Sequence, residues 1–157
     1  MCCIFLGLQQ TTSYRSMKHL FVFFQLLFIL VFFYFGKVLQ FDWFTTLQLA
    51  SIVLGLWAIR SVGENNWSVY PIPNKDSTIT STGPFGYIRH PMYSALLLFM
   101  GGISLRSYGW IIWMVYGLLL ILLVLKIVFE EKQLLAKHPE YADFKKTTKK
   151  RLIPYIW

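Results

Sequence analysis

Arg89, His90, Pro91 and Tyr93 stand at the head of one apolar segment, and Glu130 and Glu131 stand at the foot of the next. A guanidinium pairs with anions and a carboxylate accepts hydrogen bonds from cations. The chemistry on offer is therefore recognition of charged groups. Arginine, histidine and paired carboxylates are costly near hydrocarbon, so their clustering at a membrane face marks a functional site. The two groups are about forty residues apart, but consecutive membrane spans form a hairpin. The start of the first span and the end of the second then share one face.

The elements that must position these residues are apolar. Hydrophobic residues make up 56% of the 157 residues and charged residues only 14%, against roughly 25% charge in ordinary soluble domains. The length suits one domain. Four apolar segments stand out: Leu20–Phe35, interrupted by Gln25; Phe44–Ile59, diluted by Thr45, Thr46, Gln48 and Ser51; Met92–Leu105; and Trp110–Phe129, with Lys126 its only charge. A span needs about 20 residues. The third segment reaches only about 21 Å at 1.5 Å per residue. It spans if its helix continues through Arg106-Ser107-Tyr108 or if the bilayer thins. Gly101-Gly102 suits close packing against a neighbouring helix. The expected fold is all-α and polytopic, with about four transmembrane helices, a cytoplasmic loop and C-terminal amphipathic helices.

The net charge of +8 does not point to nucleic acid, because the basic residues lie between apolar segments. Four spans place both termini and the central loop on one face, which then holds every Lys and Arg except Lys37 and Arg106. That imbalance predicts cytoplasmic termini. Cys2 and Cys3 lack metal-ligand spacing, and no metal site is expected. The first apolar run reads as a retained span. Met17-Lys18-His19-Leu20 resembles a natural membrane-protein start, so residues 1–16 read as a dispensable extension, within an N-terminal part, 1–19, of a single domain spanning 1–157.

The loop from Ser61 to His90 is long and carries Trp67, Tyr70, Ile72, Phe85 and Tyr87. It reads as an ordered cap on the membrane surface, with a short extended stretch near Thr78–Thr80 and a break at Gly83-Pro84. Pro91 suits the first position of a helix, with His90 in the N-cap region. His138-Pro139 should end the helix that carries the glutamates. Tyr141 and Phe144 should share a face of the next. Lys126 reads as a snorkelling residue, and the basic run from Lys145 to Arg151 as a contact with anionic lipid. The aromatic ending, through Trp157, should pack at the interface.

The stretch Thr80–Leu98, together with FEEKQLLAKHPEYADFKK further on, resembles membrane methyltransferases related to isoprenylcysteine carboxyl methyltransferase and phospholipid methyltransferases. The resemblance is to short bacterial members. Arg89, His90, Pro91, Tyr93, Glu130 and Glu131 match the family pattern, and Ala95 stands where the family has glycine. The resemblance covers roughly Asn66–Trp157, the part expected to bind cofactor. It implies S-adenosylmethionine as methyl donor and a lipophilic or small-molecule acceptor bearing a carboxylate, thiol or amine, with membrane lipids as the other partner. It also implies Arg89 and Tyr93 in catalysis, and His90, Pro91, Tyr93, Glu130 and Glu131 in cofactor binding. Two other readings stay open. Sterol and steroid reductases, which use NADPH, carry a similar Arg-His-Pro-x-Tyr element and a similar C-terminal string. An inert membrane scaffold is the third.

Overall fold

The computed structural model describes residues 2–38, 40–62, 82–107, 109–137, 139 and 141–153. The expected extended stretch near Thr78–Thr80, the turn at His138, the cap residues Trp67, Tyr70 and Ile72, and the packing of Trp157 lie outside them.

The described residues form five α-helices and no strand: α1 (Cys2–Phe35), α2 (Phe44–Val62), α3 (Pro91–Arg106), α4 (Trp110–Lys137) and α5 (Tyr141–Thr147). A short 3-10 turn, Gly83–Gly86, precedes α3. Two of these helices are long and apolar enough to cross a membrane, Phe44–Val62 and Trp110–Ala136. α1 is one helix of 34 residues with no break near Met17, and no proline in that stretch interrupts it. The 16 residues of α3 rise about 24 Å. It ends at Arg106 for a reason given below.

The helices pair as antiparallel neighbours. Gln25 of α1 bonds to Lys126 of α4, and Phe21 packs on Phe129. Tyr93 of α3 meets Glu130 near one end of α4, and Tyr116 near the other end reaches the Leu97 carbonyl. α2 runs beside α3 at very short range, because small residues line the seam. A methyl built on Gly102 would lie 3.0 Å from the Gln48 side chain, and one on Gly55 would lie 3.6 Å from the Ala95 methyl. Ala95 therefore faces α2, where its extra carbon fits.

The core follows the helical period. Ile112, Val115, Leu119, Leu123 and Ile127 form one stripe along α4, packed with Leu97, Met100 and Ile103 of α3 and Phe32 of α1. The remaining faces are also apolar: Phe23 and Leu30 on α1, Val53 and Leu56 on α2, Ile121 and Leu125 on α4 all point outward. A helix apolar all round suits a lipid surround.

The ends of the bundle are polar. At one end Arg106 is buried with 4% exposure. Its guanidinium holds Asp42 through two bonds of 2.7 Å, the carbonyls of Lys37 and Val38, Thr45 Oγ1 and Gln48 Oε1. That fork ties the α1–α2 connection to the end of α3, and α3 stops where it is tied. The sequence marked Arg106 only as an orientation charge. The guanidinium bond holds the Asp42 carboxyl below its ordinary value.

Candidate active site

At the opposite end, Pro91 opens α3 with His90 as its N-cap residue, as expected. Gly83 makes the preceding turn possible: its φ of 62° is left-handed, and a side chain there would strike Ser61. The turn delivers Arg89 and His90 to the last turns of α4. Arg89 pairs with Glu131 at 3.0 Å. His90 lies 3.6 Å from each glutamate, Nδ1 toward Glu130 and Nε2 toward Glu131. The Tyr93 hydroxyl donates to Glu130 Oε1 at 2.5 Å. The rings of His90 and Tyr93 stack at 5.6 Å and 10°. The hairpin thus brings together all six residues singled out in the sequence. Pro91 takes part as backbone, starting the helix that aims the others.

The two glutamates sit in different surroundings. Glu131 is encircled by cations: Arg89, Arg151 at 3.2 Å and Lys145 at 3.7 Å. The sequence assigned Lys145 and Arg151 to lipid; these two turn inward, because α5 folds back and a 3%-exposed carboxylate requires compensation. Glu130 instead receives the Tyr93 hydroxyl and lies beside His90, with no Arg in contact among the described residues. Around the cluster, Tyr141 and Phe144 pack ring against ring at 5.7 Å, as expected for a shared face. Burial pushes the Tyr141 phenol well up, and the nearby Glu131 charge adds to that.

A strap formed by residues 149–152 lies across the start of α3. Arg89 N–H donates to the Lys150 carbonyl and His90 N–H to the Arg151 carbonyl, both at 2.9 Å, and Arg89 Nη2 donates to the Lys149 carbonyl. The Ser94 hydroxyl donates to the Leu152 carbonyl. The strap therefore occupies the main-chain donors at Arg89 and His90. What remains unsatisfied is on side chains. Arg89 Nε is buried without a hydrogen-bond acceptor among the described residues, and His90 Nε2 has only the Glu131 carboxylate, at the long distance of 3.6 Å; Gln48 Nε2 at the Arg106 end is likewise unmatched. Buried donors of this kind are costly unless something accepts from them.

Lys126 was expected to snorkel. It is 2% exposed, bonds to Gln25 Oε1 at 2.7 Å and lies 5.0 Å from the Tyr93 ring centre.

Next to the cluster is an apolar groove of about 780 Å³ between α2, α3 and α4. Leu54, Trp57, Leu98 and Leu120 line it, as do Ser94 and Leu152, each one residue in sequence from the charged cluster.

The phospholipid methyltransferase family model matches residues 43–141. The chain belongs to that family. A search of curated proteins returned no match. Membership places the protein among methyltransferases that work at membranes. The matched span takes in α2, α3, α4 and both halves of the charged cluster, but neither α1 nor the strap. For this family member, Gln25, Lys145 and Arg151 were the residues missed in the sequence. Only the excess of charge on the Glu130-Glu131 pair, two carboxylates against the one guanidinium of Arg89, could have hinted at a further cation such as Arg151.

Proposed function

We propose that the protein transfers a methyl group from S-adenosylmethionine to a lipophilic nucleophile at the cytoplasmic membrane face. The observation that carries this reading is the buried meeting of Arg89, His90 and Tyr93 with Glu130 and Glu131, which leaves Arg89 Nε without an acceptor and His90 Nε2 with only the long contact to Glu131. These residues fit the donor's amino-acid part. Arg89 and His90 offer N–H groups to its carboxylate, and Glu130 offers oxygens to its ammonium. Glu131, already ringed by cations, holds Arg89 in place. When bound, the cofactor supplies an activated methyl on a sulfonium.

The chain's own task is orientation and exclusion of water. Tyr93, fixed by Glu130 at its hydroxyl and by His90 at its face, lines the approach. A carboxylate or thiolate acceptor is a nucleophile once ionised, so no protein base is required. The apolar groove beside Ser94 and Leu152 supports a hydrocarbon-bearing acceptor that enters sideways from the bilayer, with its chain along Leu98 and Leu120. Four spans, α1 to α4, with both termini cytoplasmic, put the cluster where a soluble donor reaches it. The distribution of Lys and Arg supports that orientation.

Calorimetry on detergent-solubilised protein tests the reading. Saturable binding of S-adenosylmethionine and none of NADPH is expected. NADPH binding without response to the methyl donor would establish the reductase reading instead. Reporter fusions after Phe35, Arg60 and Arg106 should alternate in side, and methyl acceptance should rise with acceptor chain length.

A further inference from the structure

Among the described residues, Lys126 is the one buried cation near the cluster that the reading above leaves unused. A lysine in an apolar helix is expensive to bury, and its placement here is specific. It lies one helical turn before Glu130 and is 2% exposed. It donates to Gln25 at 2.7 Å and faces the Tyr93 ring at 5.0 Å. A cation held at that distance from an aromatic face is attracted to it. Tyr93 in turn donates to Glu130 at 2.5 Å. The contacts therefore form one chain, from Gln25 on α1 through Lys126 on α4 and Tyr93 on α3 to Glu130.

Gln25 has no other evident reason to be there. Its neighbours Phe24 and Leu26 are apolar and outward-facing, and α1 lies outside the span matched by the family. A polar amide in such a helix needs a partner. Its partner is the lysine that fixes Tyr93.

We propose that Gln25 and Lys126 are positioning residues for the methyl-transfer site. Gln25 anchors the Lys126 ammonium, the ammonium fixes the Tyr93 ring, and Tyr93 orients the Glu130 carboxylate toward the donor's ammonium. α1 thereby helps complete a site whose ligand-facing groups lie on α4, on the first turn of α3 and on the two residues before it. This rests on the methyltransferase reading for its purpose, but not for its geometry.

The test uses full-length protein in detergent, labelled with 13C at the tyrosine ring carbon bearing the hydroxyl. Loss of one signal in Tyr93→Phe assigns Tyr93. The expected result is that this signal moves in Gln25→Leu and in Lys126→Met and returns toward its place in Lys126→Arg. Leu26→Ala, on the outward side of α1, should leave it unmoved. Calorimetry on the same samples should show S-adenosylmethionine affinity reduced about two- to tenfold in Gln25→Leu, the worth of one ordinary hydrogen bond. Gln25→Leu places an apolar residue in an apolar helix, so it tests the idea even if Lys126→Met fails to fold. A stationary Tyr93 signal in Gln25→Leu overturns the proposal, as does unchanged donor affinity when the wild type binds. If the signal moves but wild-type protein binds no donor, the positioning chain stands and the methyltransferase reading falls.

Discussion

The two polar ends of the bundle are built from similar groups and reach opposite states. At one end Arg106 spends its donors on Asp42, Lys37, Val38, Thr45 and Gln48, in bonds of 2.7 to 3.2 Å, and only the Gln48 Nε2 beside it lacks an acceptor among the described residues. At the other, Arg89 keeps a buried N–H group that no described residue accepts, and His90 one that only Glu131 approaches, at 3.6 Å. A buried arginine is tolerable when its donors are matched, and a structural arginine should look like Arg106. On the function proposed above, the unmatched arginine and histidine donors at Arg89 and His90 await the methyl donor's carboxylate. On that proposal the difference separates a fastening from a receptor, although both are guanidinium–carboxylate pairs in a helical membrane-type protein.

Breaking the fastening should have the largest effect on stability. Arg106→Leu leaves several acceptors without a donor, at roughly 1–3 kcal/mol for each that is truly buried. Thermal denaturation in detergent should show a clear fall in midpoint, while the protein that remains folded keeps its donor affinity. Equal loss of affinity per folded molecule would mean that the two ends are not independent.

The second prediction breaks the receptor. Glu130→Gln keeps an oxygen for the Tyr93 hydroxyl but removes the charge. Donor affinity or turnover should fall about ten- to a hundredfold, the worth of a charge-assisted hydrogen bond of roughly 1.5–3 kcal/mol. The denaturation midpoint should barely move. A large drop in midpoint with intact affinity would make Glu130 a structural residue like Asp42.

A smaller effect is expected at Lys145. It lies 3.7 Å from Glu131 and is about one-third exposed, and ion pairs of that kind contribute about 0–1 kcal/mol. Lys145→Ala should reduce donor affinity by no more than a few-fold, since Arg89 and Arg151 still hold Glu131. A loss as large as that of Glu130→Gln would promote Lys145 to the receptor.

The smallest effect concerns acid. The Asp42 carboxyl is held below its ordinary value of 3.8, first by the Arg106 hydrogen bond. A lowered folded value means that the carboxylate's stabilising contribution is complete above 3.8 and disappears as pH falls through the folded value. Wild-type protein should therefore lose a little stability in strong acid, and Asp42→Asn should lose that part of its pH dependence. Denaturation midpoints measured at a series of pH values check this.

The receptor was more legible in the sequence than the fastening, for a physical reason. Arg89, His90 and Tyr93 lie at one helix start and Glu130-Glu131 near the end of the next helix, so an antiparallel hairpin is enough to bring them together. Helix boundaries at Pro91, Trp110 and Lys137 follow from proline placement and apolar runs. Arg106–Asp42 and Lys126–Gln25 are single polar residues 64 and 101 positions apart. No periodicity or turn chemistry links them, and each alone has a bland explanation, an orientation charge or an interruption in a span. Arg151 and Lys145 were hidden differently: they sit among other basic residues whose common reading is lipid contact. Only the fold-back of α5 and the strap distinguishes them from their neighbours.

The strap also sets an order of events. Residues 149–152 are synthesised after α3 and α4, so the hairpin is complete in sequence while the main-chain donors of Arg89 and His90 are still open and Glu131 still lacks Arg151. The receptor is finished from the aqueous side by the last described stretch to be made. Synthesis therefore makes the apolar body first and closes the charged end afterwards, and a chain stopped before Lys149 carries the family-matched span without its clasp.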